Sequence, residues 1–156
     1  MSRTALLDVN LLVALFDPDH VHHEAAHDWF TDHRTGGWAT CPVTENGFVR
    51  VVSHPQYGAA AGRPAEIVER LRRFCTGAHH TFWPASVSLR DEAIFEPAFI
   101  RGHRQLTDIY LLGLAVRQDG CVATFDRAIP LGAVVGATRA HLQVVASVEH
   151  TNSMQP

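Results

Sequence analysis

The chain contains no lysine; all thirteen of its basic residues are arginine. That absence excludes a P-loop lysine, Schiff-base chemistry and lysine-dependent aspartyl-phosphate sites together. Cysteine is scarce as well. Cys41, Cys75 and Cys121 are odd in number, far apart and without a CxxC pair, so reduced core thiols are expected rather than a disulfide framework or a Cys-rich zinc site. Long hydrophobic runs are missing, since nowhere do about eighteen uncharged apolar residues stand together. The opening MSRTALLDVN is broken by Asp8 and Asn10 before it can act as a signal peptide. A soluble, cytoplasmic protein that engages no membrane is the expectation. Surplus positive charge is absent too: the formal net charge is −3. Any nucleic-acid binding must therefore come from a local arginine cluster rather than from bulk attraction.

What remains is a globular composition. With 156 residues, 46% apolar and 19% charged, the chain can bury one proper core and no more. A single domain over residues 1–148 with a flexible tail over 149–156 is expected.

Thr4 to Leu7 form an apolar run ending in Asp8, which predicts a buried strand followed by a helix over Asn10 to Phe16 that Asp17-Pro18 closes. A second helix is expected over Val21 to His33. Gly36-Gly37 breaks it before a strand over Trp38 to Cys41, and Val43 to Val52 reads as a helix. Pro64 opens a helix whose stripe is Ile67, Val68, Leu71, Phe74 and Cys75. Thr81 to Trp83 is a third strand, and Ser86 to Arg101 is expected to be helical in part. Thr107 is placed as N-cap of an apolar helix over Asp108 to Gln118 that Asp119-Gly120 ends. Strands over Cys121 to Phe125 and His141 to Val145 complete the pattern. Alternating strands and helices imply a parallel sheet in a three-layer α/β/α arrangement, in which helix N-termini and strand C-termini share one edge.

Four acids fall on that edge. Asp8 and Asp126 end the first and fourth strands, while Glu45 and Asp108 lie in the first turns of helices. Each alone has an ordinary explanation as a turn residue or as an answer to a helix dipole. Together they repel one another and, with no lysine present, call for arginines or a hard divalent cation. Oxygen-only ligands favour Mg2+ or Mn2+ over zinc. Such an ion neutralises phosphodiester charge and activates water, which is nuclease chemistry without a protein nucleophile.

The segments LLDVNLLVAL, TENGFVRV, HRQLTDIYLLGLAV and VATFDRAI resemble the successive motifs of PIN-domain ribonucleases, especially VapC-type toxins of VapBC toxin–antitoxin pairs. The resemblance runs in order over roughly residues 4 to 145. It implies a Rossmann-like PIN fold with about five strands in the order 3-2-1-4-5. It further implies a Mg2+- or Mn2+-dependent endoribonuclease in which Asp8, Glu45, Asp108 and Asp126 hold the metal or position its water. Asn10, Thr107, Thr124 and Arg104 would stand beside them as supporting or substrate-orienting groups. The implied partners are an RNA substrate, a second copy in a homodimer and a cognate antitoxin. Ala14 to Phe16, Trp29 and Phe48 to Val52 are candidates for the antitoxin's groove, with core packing as their more ordinary role. Arg63, Arg70, Arg72, Arg73, Arg101 and Arg104 are candidate phosphate contacts, and His103 lies just upstream of Asp108. A solvated helix face explains Arg70 and Arg73 equally well.

His23-Glu24-Ala25-Ala26-His27 matches HExxH, with His33 where a third zinc ligand of a metzincin would stand. Phe30 occupies the position where that pattern needs glycine. The helical wheel puts Val21, Ala25, Ala26, Trp29 and Phe30 on the buried arc and the two histidines toward solvent. A zinc metallopeptidase is therefore a minor alternative, as is a PIN-type housekeeping nuclease without an antitoxin. A haloacid-dehalogenase-like phosphatase needs a second acid where Asn10 stands, and a non-catalytic interaction module needs no acidic cluster at all.

Overall fold

In the computed structural model, residues 3–58 and 61–146 are described. Five short strands, β1 (Ala5–Leu7), β2 (Trp38–Thr40), β3 (His80–Phe82), β4 (Cys121–Thr124) and β5 (Leu142–Val144), form one sheet in the order β3-β2-β1-β4-β5. Every pairing is parallel. The helices are α1 (Val9–Phe16), α2 (His23–His33), α3 (Pro42–Val52), α4 (Pro64–Cys75) and α5 (Leu106–Arg117).

The sheet is covered on both faces, which is why its central strands are buried throughout and apolar except where β2 and β4 end in Thr40 and Thr124. Ala5, Leu7, Trp38, Cys121 and Ala123 point into a core shared with α1 to α4. Leu6, Ala39 and Val122 point the other way, into a core shared with α5 and the loops that flank it. The three layers follow from that alternation.

Two glycines permit close approach on the α5 side. A Cβ at Gly113 would lie 2.3 Å from the Phe95 ring, and one at Gly120 would lie 2.6 Å from the Thr4 carbonyl oxygen. Gly120 follows Asp119, whose φ of 54° turns the chain from α5 into β4.

Three expectations need correction. Ser86 to Arg101 forms no α-helix. It is a run of turns with one 3-10 turn at Pro97–Phe99, because the Asp91 side chain takes the Ala93 N–H and Phe95 bridges to Val134 instead. Thr107 is not an N-cap: α5 starts at Leu106, directly after a 3-10 turn over His103–Gln105, so Thr107 lies exposed within its first turn. Val21 stands outside α2 and is 86% exposed rather than buried, while Ala26 and Trp29 carry that helix's packing. No helix among the described residues is long and apolar enough to cross a membrane. The expected boundary at residue 148 and the tail beyond it lie outside the described residues.

Candidate active site

Asp8 leaves β1 and caps α1 in the same step. Its backbone N–H donates to the Ala123 carbonyl of β4 at 3.1 Å, and its Oδ1 accepts the Leu11 N–H at 2.8 Å. Strand end and helix start are thus one residue, which aims the carboxylate along the sheet edge. Asp8 is buried, and its carboxyl is pushed up to about 6. Desolvation is the main cause, and the negative charges of Asp108 and Asp126 add to it. The Thr124 hydroxyl and the Leu11 N–H act in the opposite direction.

Asp108 enters from the other layer, in the first turn of α5. Burial raises its carboxyl above the usual range, and the charge of Asp126 raises it further. Asp126 follows β4 and is exposed. Its Oδ1 accepts the Ala128 N–H at 2.7 Å, and its own N–H donates to Thr124 Oγ1 at 3.0 Å. Asp108 and Asp126 thus lie within electrostatic reach of Asp8, and Thr124 acts on Asp8 while holding the Asp126 backbone.

Glu45 faces a different set of neighbours. It lies in the first turn of α3, where its Oε2 accepts the Thr40 hydroxyl at 2.7 Å. Its charge acts on His80 and Cys75, in each case against or beside a larger effect of burial. The groups perturbing Asp8 and Asp108 do not include it. Asn10 is exposed in the first turn of α1, and Arg104 is exposed in the 3-10 turn before α5. The ring of His22 packs against Phe125 at 4.8 Å, next to Asp126.

The ion pairs among the described residues are Arg3–Asp119, Arg63–Glu66, Arg72–Glu69 and Arg73–Glu69. None involves the four acids. Asp8 is thus a buried carboxylate with like charges nearby and no cationic side chain to offset them, and an oxygen-only donor set of this kind fits a hard divalent cation. Among the described residues no three His, Cys, Asp or Glu side chains are close enough to form a finished metal cage.

Sequence reasoning missed Thr40 and His80. The available signal was Thr40 itself, the last residue of β2, five positions before Glu45. The HExxH histidines have other occupations: His23 Nδ1 lies 2.7 Å from the Ala14 carbonyl oxygen, and His33 Nδ1 lies 2.8 Å from that of Trp29. His27 is exposed.

On the α1–α4 side, a groove of about 360 Å³ is lined by Leu12, Leu15, Phe16, Phe48 and Phe74, with His27, Arg70 and Leu71 completing its walls. Phe16 thus faces a cleft whose floor includes the buried Phe48, whereas Ala14, Trp29 and Val52 are core residues outside it. The Arg70 guanidinium lies 4.7 Å above the Phe16 ring, so Arg70 covers an aromatic instead of only meeting solvent.

This is a parallel α/β fold with an acidic site at the carboxyl ends of adjacent strands β1 and β4. The model of the family described as PIN domain matches residues 5–133, and the chain belongs to that family. The proteins it is similar to include three of Mycobacterium tuberculosis. It is 46% identical to Ribonuclease VapC44 over 88% of this chain and 96% of the relative. To Ribonuclease VapC39 it is 43% identical over 85% of this chain and 96% of the relative. To Ribonuclease VapC29 it is 45% identical over 79% of this chain and 86% of the relative.

Proposed function

We propose that the chain is an endoribonuclease that hydrolyses RNA phosphodiester bonds and serves as the toxin of a VapBC-type toxin–antitoxin pair. The observation that carries this reading is the mutual influence of Asp8, Asp108 and Asp126, one of them buried, with no arginine paired to any among the described residues. The ribonuclease names of relatives similar over most of the chain support it.

Asp8, Asp108 and Asp126 are the residues that would hold Mg2+ or Mn2+, with Glu45 as the fourth acid. When bound, such an ion polarises the phosphate and lowers the pKa of a water. The chain's own groups set the stage for that chemistry. The Leu11 N–H fixes one oxygen of Asp8, and the Ala128 N–H fixes one of Asp126. The Thr124 hydroxyl oxygen accepts the Asp126 backbone N–H, and the same hydroxyl favours the charged form of Asp8. Asn10, Thr107 and Arg104 are exposed in the helix starts at this edge, where they would meet the RNA strand. With no lysine in the chain, phosphate contacts fall to arginines, of which Arg101 and Arg104 stand nearest in sequence to Asp108.

The antitoxin is assigned to the groove beside Phe16 and Phe48, and the working form to a homodimer. Both go with the toxin reading, and a housekeeping nuclease would need no antitoxin.

The test is incubation of the purified protein with end-labelled structured RNAs and Mg2+ or Mn2+, beside Asp8→Asn and Asp108→Asn. Cleavage at mapped positions, lost in both variants with circular dichroism unchanged, is the expected result. Persistent cleavage in both variants overturns the assignment. Growth arrest on expression, relieved by the neighbouring reading frame, is expected of the toxin; arrest without relief points to a housekeeping enzyme. Light scattering checks the dimer.

A further inference from the structure

We propose that Thr40 and His80 act as a positioning pair for Glu45, committing one oxygen of its carboxylate and leaving the other free for the cation. This rests on the reading of Glu45 as the fourth acid of the site. Thr40 is fully buried at the end of β2, where its hydroxyl lies 2.7 Å from Glu45 Oε2 and 2.8 Å from His80 Nε2, with the Cys75 thiol also beside it.

A hydroxyl carries a single proton, and a carboxylate can only accept. The Thr40 proton therefore goes to Glu45 Oε2, and the second contact requires His80 to donate from Nε2 to Thr40 Oγ1. The arrangement dictates a tautomer, with the His80 proton on Nε2. Glu45 Oε1 has no hydrogen-bond partner among the described residues, so it is the oxygen left to face an ion or its water.

The backbone explains why the three groups meet. In the β2–β3 register Trp38 stands opposite His80, so Thr40, two residues along, shares the face on which the His80 ring lies. That ring packs on Trp38 with centroids 4.5 Å apart, which fixes its plane. Pro42 starts α3 immediately after β2, and its first turn brings Glu45 back over Thr40. Thr40 is β-branched and stiff about χ1, so its hydroxyl direction is set by the strand. A histidine donating to a hydroxyl that donates to a ligand carboxylate is the kind of outer contact that fixes ligand orientation around a metal.

Three variants and three readouts test this. Thr40→Val keeps the shape and removes the hydroxyl, Thr40→Ser restores it, and His80→Phe keeps a ring without the donor. The readouts are the His80 tautomer by long-range 1H–15N correlation, Mn2+ affinity by electron paramagnetic resonance of the free ion, and kcat and KM for RNA cleavage. The wild type is expected to show the Nε2–H tautomer, and Thr40→Val to lose its fixed preference. In Thr40→Val and His80→Phe, Mn2+ affinity and kcat are expected to fall roughly 10- to 100-fold, with KM for RNA unchanged and Thr40→Ser close to wild type.

An Nδ1–H tautomer in the wild type, or wild-type Mn2+ affinity in Thr40→Val, overturns the proposal. If Thr40→Val does not fold, His80→Phe and the wild-type tautomer decide. Glu45→Gln separates the two layers of argument. If it weakens Mn2+ binding while Thr40→Val does not, the positioning pair alone is wrong. If Glu45→Gln behaves as wild type, the fourth acid falls and the pair with it, leaving Asp8, Asp108 and Asp126 in place.

Discussion

The hydroxyl oxygen of Thr124 accepts the backbone N–H of Asp126 at 3.0 Å. The same side chain is fully buried and sits beside Asp8, where it opposes the rise of that carboxyl. Thr124→Val is expected to cost about 0.5–1.5 kcal/mol of stability by removing the acceptor of the Asp126 N–H and the hydroxyl beside Asp8. It should also push the Asp8 carboxyl further up than in the wild type. Carboxyl 13C titration with urea unfolding checks both; an unmoved Asp8 would show that the hydroxyl has no hold on it.

The pH dependence of the metal-free protein follows from Asp8. Its folded carboxyl titrates near 6, against 3.8 unfolded. Between those values the folded state keeps a proton that the unfolded state has lost, so stability falls as pH rises through the window and is lowest above it. The full effect is on the order of 3 kcal/mol. Asp8→Asn keeps the cap to the Leu11 N–H, removes the Asp8 share of the slope while leaving that of Asp108, and leaves the metal-free protein more stable than wild type at pH near 7.5. Mg2+ or Mn2+ should raise the wild-type Tm there and leave that of Asp8→Asn almost unmoved, with EDTA reversing the rise. Thermal unfolding at two pH values with and without the ion measures this, and identical curves for both proteins would count against it.

Most of the architecture could be read from hydrophobic pattern and punctuation. The five helices and five strands are near their expected places because Asp17-Pro18, Gly36-Gly37, Pro64 and Asp119-Gly120 mark their ends physically. The strand order came with the family resemblance, since pattern alone does not say which strand neighbours which. Ser86 to Arg101 misled because Asp91 and Pro97 shape turns while Phe95 is recruited by a distant glycine, and neither effect leaves a periodic trace. The three aspartates were legible because each sits where an element begins or ends. The Thr40–His80 contact was not, because it depends on the β2–β3 register, and His80 lay just outside the expected third strand.

Gly113 is where Phe95 seats against α5. Gly113→Ala puts a methyl group into that ring and is expected to cost about 1–3 kcal/mol, since a packed core cannot absorb the added volume. Because α5 carries Asp108, cation affinity should fall as well. Urea denaturation and Mn2+ titration test this, and a variant as stable as wild type would mean that the ring moves freely.

Glu24→Gln tests the HExxH coincidence. With His23 and His33 each against a backbone carbonyl and His27 exposed, RNA cleavage in this variant is expected to match the wild type and zinc to remain well below one ion per chain. Stoichiometric zinc in the purified protein would contradict this account of the segment.

β1 lies in the middle of the sheet, flanked by β2 on one side and by β4 on the other. Asp8 comes early in the sequence, whereas β4 and the aspartates that accompany it come after the first three strands. The middle strand of the sheet is thus completed by a neighbour more than a hundred residues away, so the acidic edge exists only once the whole sheet has closed, and no fragment ending before β4 can assemble it.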